Sequence, residues 1–171
     1  PEEKESLKGY NFITLKPIIY VANISEDDIN NENNIYVHKI KEYALKENAG
    51  VVVMCAKIES ELAELSDNEK KDFLRDLGIE YSGLDKLIFA TYNLLGLQTY
   101  FTAGPKEVRA WTFRKGMNAK ECAGIIHSDF EKGFIKAEIM SFIDLETYKD
   151  EKIVKEKGKL RLEGKDYLMQ D

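Results

Sequence analysis

Residues 98–138 read QTYFTAGPKEVRAWTFRKGMNAKECAGIIHSDFEKGFIKAE, and this stretch decides the fold of the second half of the chain. Aromatic and polar residues alternate on either side of Gly104-Pro105, which is typical of two strands joined by a turn. The predicted strands are 97–102 and 107–113. Asn118 then begins an amphipathic helix that we expect to end at Gly133.

Shorter strands follow the predicted helix. Residues 134–141 alternate as a third strand, and strand-like pieces at 160–162 and 167–169 flank a turn at 163–165. The lysine-rich segment 149–161 is typical of a solvated loop or helix face. The resulting β-β-α-β order is that of a β-grasp fold.

The first half of the chain has a different pattern. KPIIYVAN (16–23) and GVVVMCA (50–56) are short apolar runs, and such runs predict strands buried on both faces. Helical patterns lie between and after them, at 35–46, 59–65, 68–77 and 84–95. Strand–helix–strand–helix order indicates a parallel α/β sheet. Because two parallel strands make an incomplete sheet, we expect further strands from sequence preceding Pro1.

Composition restricts the function classes. The 171 residues are 43% hydrophobic and carry a net charge of −6, with the acidic excess in the first half. We expect neither a membrane span nor a signal peptide, and hence a cytoplasmic protein. Cys55 and Cys122 are too far apart for a metal motif, which favours reduced thiols. His38 and His127 likewise lack partners at ligand spacing, so we predict a solvent-facing His38 and a packing or capping His127, with partner contact as the alternative.

Two segments suggest a family. FTAGPKEVRAWT (101–112) and HSDFEKGFIKAE (127–138), at this spacing, resemble the signature of the TGS domain that ends the YchF/Obg-like ATPases, a family of P-loop NTPases. The resemblance implies an α/β protein: a partial P-loop NTPase parallel sheet followed by a small β-grasp (TGS) domain. It assigns residues 1–89 to the C-terminal part of the nucleotide-binding domain. The TGS domain would occupy 90–171 and lack its last strand.

The resemblance also implies a site for the base of a purine nucleotide. Ligands of open α/β sheets bind beyond the carboxyl ends of the strands. Asn23-Ile24-Ser25-Glu26 corresponds there to the Asn-Lys-x-Asp motif of P-loop GTPases, in the Asn-x-x-Glu form of the family. Asn23 would hydrogen-bond the purine at N7, and Ile24 would supply an apolar contact and a backbone group. Glu26 replaces the aspartate that pairs with guanine, which implies ATP at least as readily as GTP.

The second strand would contribute another loop to this site. Cys55 and Ala56 correspond to a Ser-Ala element whose backbone faces the base, and the cysteine removes the hydroxyl contact of the serine. The alternative for Asn23 to Glu26 is a simple helix cap after a strand. Cys55 is equally consistent with a small buried residue.

Catalysis would need residues that the sequence does not contain. No GxxxxGK[ST] loop occurs in it, so we predict no catalytic residue and no metal ligand, with the Mg²⁺ site outside this chain. The resemblance implies a parent enzyme that hydrolyses ATP or GTP with Mg²⁺. We expect the chain alone to be inactive.

Aromatic and basic residues of the second predicted strand suggest a partner surface. Arg109 and Trp111 share one face of this strand with Phe113, and Arg114 and Lys115 follow at its end. Such groups can stack RNA bases and neutralise phosphates, and TGS domains are associated with ribosome and RNA contact. The alternative is that Trp111 and Phe113 pack beneath the helix. A non-enzymatic RNA- or ribosome-binding module is therefore the second hypothesis; nothing in the pattern indicates DNA specificity.

Overall fold

The structure, a computed structural model, describes residues 6–104 and 106–171, with Lys8 described by its backbone alone. The described residues form two compact units, one ending at Leu95 and one beginning at Gly96. Each unit combines helices with small sheets, which confirms the predicted α/β class. No helix within the described ranges is both long enough and apolar enough to cross a membrane.

The first unit contains the predicted parallel pair of strands. Its elements are β1 (Ile19–Asn23), α1 (Ile35–Glu47), β2 (Gly50–Met54), α2 (Ala56–Ala63), α3 (Asp67–Asp76) and α4 (Gly83–Leu95). β1 and β2 run parallel, with Ile19 opposite Gly50 and Asn23 opposite Met54. Parallel pairing requires a crossover, and α1 supplies it. Both strands therefore end at the same edge of the sheet.

Local signals in the sequence explain where α1 begins and ends. The side chain of Asn34 accepts hydrogen bonds from the backbone N–H groups of Tyr36 and Val37, which satisfies donors of the first turn. Asn48 ends the helix in the left-handed region, at φ 53°. Asparagine tolerates this conformation better than most residues with a Cβ atom, and the chain turns directly into β2.

The core of the first unit lies behind the ends of the strands. Cys55, Ile58 and Leu62 are buried against one another, and half-buried apolar side chains surround them: Ile24, Ile29, Leu65, Phe73, Leu74 and Leu77. The residues that follow β1 and β2 are thereby held by packing as well as by backbone pairing.

α4 begins where it touches the end of β2. The carboxylate of Glu59 in α2 accepts hydrogen bonds from the backbone N–H of Gly83, at 2.7 Å, and of Leu84, at 3.1 Å. A carboxylate at this position satisfies first-turn donors and complements the positive end of the helix. Gly83 is buried against Met54. The capping carboxylate and the close approach fix α4 relative to the sheet.

The second unit contains the predicted β-β-α-β order with additional helices. Its elements are β3 (Leu97–Ala103), β4 (Val108–Arg114), α5 (Ala119–Ile126), α6 (Ser128–Lys132), β5 (Ala137–Ile139), α7 (Phe142–Tyr148), α8 (Glu151–Glu156) and β6 (Arg161–Glu163). Among the described residues, β3–β4 and β5–β6 form two antiparallel pairs, and Asn118 forms an isolated bridge with Leu168. Pro105, in the predicted turn, lies outside the described residues.

Three details of the second unit differ from the sequence prediction. The helix predicted from Asn118 to Gly133 is interrupted at His127, whose φ of −162° is extended backbone. The predicted strand 134–141 shortens to β5, because Ser141 instead caps α7 by accepting a hydrogen bond from Asp144 N–H at 3.0 Å. The strand-like piece predicted at 167–169 forms an isolated bridge, between Leu168 and Asn118, and no strand. α8 lies within 149–161, for which a solvated loop or helix face is predicted.

The core of the second unit lies between the β3–β4 hairpin and α5. Phe113 is 2% exposed and Cys122 fully buried. Tyr100 packs edge-on against Phe113, with ring centroids 5.7 Å apart, and its hydroxyl donates to the backbone oxygen of Cys122 at 2.8 Å. Phe113 thus packs beneath the helix.

Candidate nucleotide-base site and partner surface

Two loops meet where β1 and β2 end. Asn23 lies opposite Met54, and the backbone N–H of Ile24 donates to Met54 O at 2.9 Å, one step beyond the strand pair. The segments Asn23–Glu26 and Cys55–Lys57 therefore leave the sheet side by side. This edge is where ligands of open α/β sheets bind.

A side-chain hydrogen bond joins the two loops. Asn23 Oδ1 accepts from the backbone N–H of Ala56 at 2.9 Å. Because the amide oxygen of Asn23 is engaged, the amide presents its Nδ2–H₂ group as donor to a ligand. A purine N7 is an acceptor, so this orientation fits the predicted contact. The backbone N–H of Ala56, which belongs to the element whose backbone is expected to face the base, is bonded to Asn23.

Cys55 belongs to the buried core of the first unit, and Ile24 packs against that core. Cys55 is 4% exposed, and Ile24 is half-buried against the cluster that contains Cys55. A buried thiol surrounded by apolar side chains contributes packing. This contact stabilises the turn that carries Asn23.

Glu26 lies in a one-turn 3₁₀ helix, Glu26–Asp28, where its carboxylate meets a lysine of the other loop. Lys57 Nζ donates to Glu26 Oε2 at 2.6 Å, and Glu61 Oε1 lies 4.0 Å from the same nitrogen. The hydrogen bond and charge of Glu26 raise the pKa of Lys57 above its usual value. Sequence reasoning placed Lys57 in the segment that follows the second strand but gave it no role; a cation directly after Cys55-Ala56, facing an acidic motif, was the available signal.

The predicted partner contacts divide between different positions of β4. The guanidinium carbon of Arg109 lies 4.1 Å from the ring centroid of Trp111, whose Nε1–H donates to Thr102 Oγ1 at 2.9 Å. Arg109 and Trp111 are on the side of the hairpin that faces α5. By the alternation of a strand, Arg114 is on the opposite side, and Lys115 lies in the turn that follows.

Both histidines have local partners. His127 Nδ1 accepts from the backbone N–H of Asp129 at 3.1 Å and caps α6, and its ring lies edge-on to Phe130. His38 Nε2 lies 2.9 Å from the backbone oxygen of Glu32. In the part of the chain that the structure describes, no three His, Cys, Asp or Glu side chains form a group able to hold a metal ion.

Comparison with known proteins identifies relatives across the whole chain. The family model YchF-GTPase_C, described as a protein of unknown function (DUF933), matches residues 97–171. The chain is 59% identical over 174 residues to "Ribosome-binding ATPase YchF" of Bacillus subtilis, covering 99% of this chain and 47% of the relative. It is 52% identical over 170 residues to the protein of the same name from Escherichia coli O157:H7, covering 99% and 46%.

A solved structure is similar as well. The Schizosaccharomyces pombe YchF GTPase matches with a TM-score of 0.82 and 38% identity, over 98% of this chain and 44% of that protein. The chain therefore spans a little under half the length of these relatives.

Proposed function

Since this chain belongs to the YchF family, we propose that it forms the base-recognition half and the TGS module of a P-loop nucleotidase that binds and hydrolyses ATP, with GTP as an alternative substrate. Residues 1–89 would complete the nucleotide-binding domain, and residues 90–171 would form the module that contacts a partner. The relatives named above are called a ribosome-binding ATPase and a GTPase. A cytoplasmic location would follow from a ribosomal partner.

The observation that carries this proposal is the hydrogen bond between Asn23 Oδ1 and Ala56 N–H, at 2.9 Å. It orients the Asn23 amide with its donors available to a purine N7, at the edge of the sheet where nucleotides bind. The Lys57–Glu26 pair lies beside it, at the end of the same strands. This arrangement supports recognition of a purine base by residues that the sequence alone already suggested.

The phosphate chemistry would come from outside these residues. Mg²⁺ bound with the nucleotide would neutralise charge that develops on the phosphates. This chain would contribute binding energy and orientation of the base, which hold the nucleotide in register with the phosphate-binding loop.

Asn23→Ala tests the proposal in the full-length protein that carries this chain. The substitution removes both the N7 donor and the acceptor for Ala56, so we expect the Kd for ATP to rise by about tenfold or more, as measured by fluorescent-nucleotide titration. Asn93→Ala is the matched control, because Asn93 is exposed on α4. Equal affinities of both variants for ATP would contradict the proposed base site.

The stacked Arg109 and Trp111 favour RNA as the partner of the second unit. A guanidinium on an indole presents charge and a flat surface together, which is the combination that binds single-stranded RNA. Arg109→Glu and Lys115→Glu should weaken ribosome co-sedimentation and RNA binding, and flatten their dependence on salt. If RNA and ribosome binding of these variants is unchanged and does not depend on salt, the surface does not bind RNA electrostatically. Trp111 would then have a packing role alone.

A further inference from the structure

The ion pair between Lys57 and Glu26 connects the two loops of the base site. Lys57 Nζ lies 2.6 Å from Glu26 Oε2, and 31 residues separate the two in sequence. Charge-assisted hydrogen bonds of this length are among the stronger polar contacts in proteins. The extra methylene of glutamate, compared with aspartate, lengthens the reach of the carboxylate across to the second loop.

The position of this carboxylate matters because adenine and guanine differ at the edge it would meet. Guanine presents N1–H and N2–H₂ donors there, and a carboxylate can accept from both. Adenine presents the lone pair of N1, which a free carboxylate repels. A carboxylate within hydrogen-bonding distance of this edge therefore discriminates strongly between the two purines. A carboxylate held away from the edge discriminates weakly.

Lys57 contacts the carboxylate on which these two situations depend. Its ammonium occupies Oε2 of Glu26 and neutralises the carboxylate charge, while Glu61, 4.0 Å from the same ammonium, adds a second negative group on the lysine side. Two neighbouring side chains of the loop have other partners, because Ser25 donates to Asp28 at 2.9 Å and Asn23 Oδ1 accepts from Ala56.

We propose that Lys57 is a specificity-determining positioning residue, which holds the Glu26 carboxylate away from the base edge and so removes the preference for guanine, and the repulsion of adenine, that a free carboxylate would give. This inference rests on the proposed nucleotide function of the same site. According to this inference, the choice between adenine and guanine depends on Lys57 of the second loop as well as on the Asn-x-x-Glu motif.

The ratio of the affinities for ATP and GTP tests this inference. The free energy of unfolding does not, because the Lys57–Glu26 ion pair is exposed. The side chains of Lys57 and Glu26 are 67% and 41% exposed, and exposed ion pairs contribute little to folding. A merely structural salt bridge would change the affinities for ATP and GTP equally. A positioning role changes their ratio.

The experiment measures the Kd of ATP and of GTP for the full-length protein and its variants. In Lys57→Gln the carboxylate is released, so we expect the preference to move toward GTP by about tenfold. Lys57→Arg keeps the cation and should retain the original ratio. Glu61→Gln is the matched control, because it removes the other carboxylate near Lys57 without touching the motif.

A double variant identifies the group responsible. If the released carboxylate recruits guanine, then Lys57→Gln combined with Glu26→Gln should lose the shift toward GTP. An unchanged ATP:GTP ratio in Lys57→Gln would overturn the inference, and so would a shift that persists in the double variant. Absence of purine nucleotide binding by the unsubstituted protein would instead contradict the proposed function itself.

Discussion

Gly83 shows how tightly a single residue fits between the sheet and its helices. A Cβ atom at this position would collide with the Cβ of Met54 and approach Glu59 Oε1 to 2.9 Å. The Met54 atom belongs to a strand and cannot move away as the end of a flexible side chain could. The glycine is required by close approach, since no positive φ is involved.

Gly83→Ala is therefore expected to destabilise the first unit by about 1–3 kcal/mol through overpacking. The free energy of unfolding, measured with urea, checks this value. Gly9→Ala is the control, because nothing lies within 4 Å of the Cβ that it adds. Equal stability of the two variants would show that the contact between α4 and β2 is looser than the structure describes.

At the scale of elements, two tyrosines hydrogen-bond Glu47 in the last turn of α1: Tyr20 from β1, and Tyr43 from α1 itself. The hydroxyls of Tyr20 and Tyr43 donate to the two carboxylate oxygens of Glu47, at 2.5 and 2.7 Å. These hydrogen bonds lower the pKa of Glu47, and the one from Tyr20 has the larger effect. Because the pKa of Glu47 is lower in the folded state, its stabilising effect is present above the unfolded-state pKa and is lost as pH falls through the folded-state pKa.

Tyr20→Phe should raise the pKa of Glu47 toward its usual value, because the larger of its two stabilising hydrogen bonds is removed. An NMR titration of the Glu47 carboxyl measures this change. The loss of stability should be visible in urea unfolding at about pH 7 and should vanish once Glu47 is protonated. Tyr36→Phe, at a position 74% exposed, should alter neither quantity. A stability loss that is independent of pH would assign the role of Tyr20 to packing.

At the scale of the whole molecule, we predict that the 171-residue chain alone does not hydrolyse nucleotide. The sequence contains no GxxxxGK[ST] loop to hold the β- and γ-phosphates. Phosphate release with ATP and Mg²⁺ should match that of buffer, whereas the full-length protein should turn over. Mg²⁺-dependent turnover by the chain that survives Asn23→Ala would contradict this prediction.

Local sequence patterns predicted many of the strands and helices. Continuous apolar runs predicted β1 and β2, and helical spacing over 35–46 predicted α1, because hydrophobic periodicity acts over a few residues. The helix α7 was missed although Ser141-x-x-Asp144 is a capping signal, since alternation in 134–141 favoured a strand. The break at His127 was missed because apolar residues keep helical spacing on both sides of it.

By itself, the sequence determined the fold class, the family and the position of Asn23 and Glu26 at a strand end, because strand order and motif spacing are properties of the chain. Only the tertiary structure decided the partners of those side chains. Asn23 bonds Ala56 across 33 residues, and Glu26 pairs with Lys57 across 31. Such contacts depend on the parallel register that aligns Asn23 with Met54, and a register between distant strands is set by packing of the whole unit.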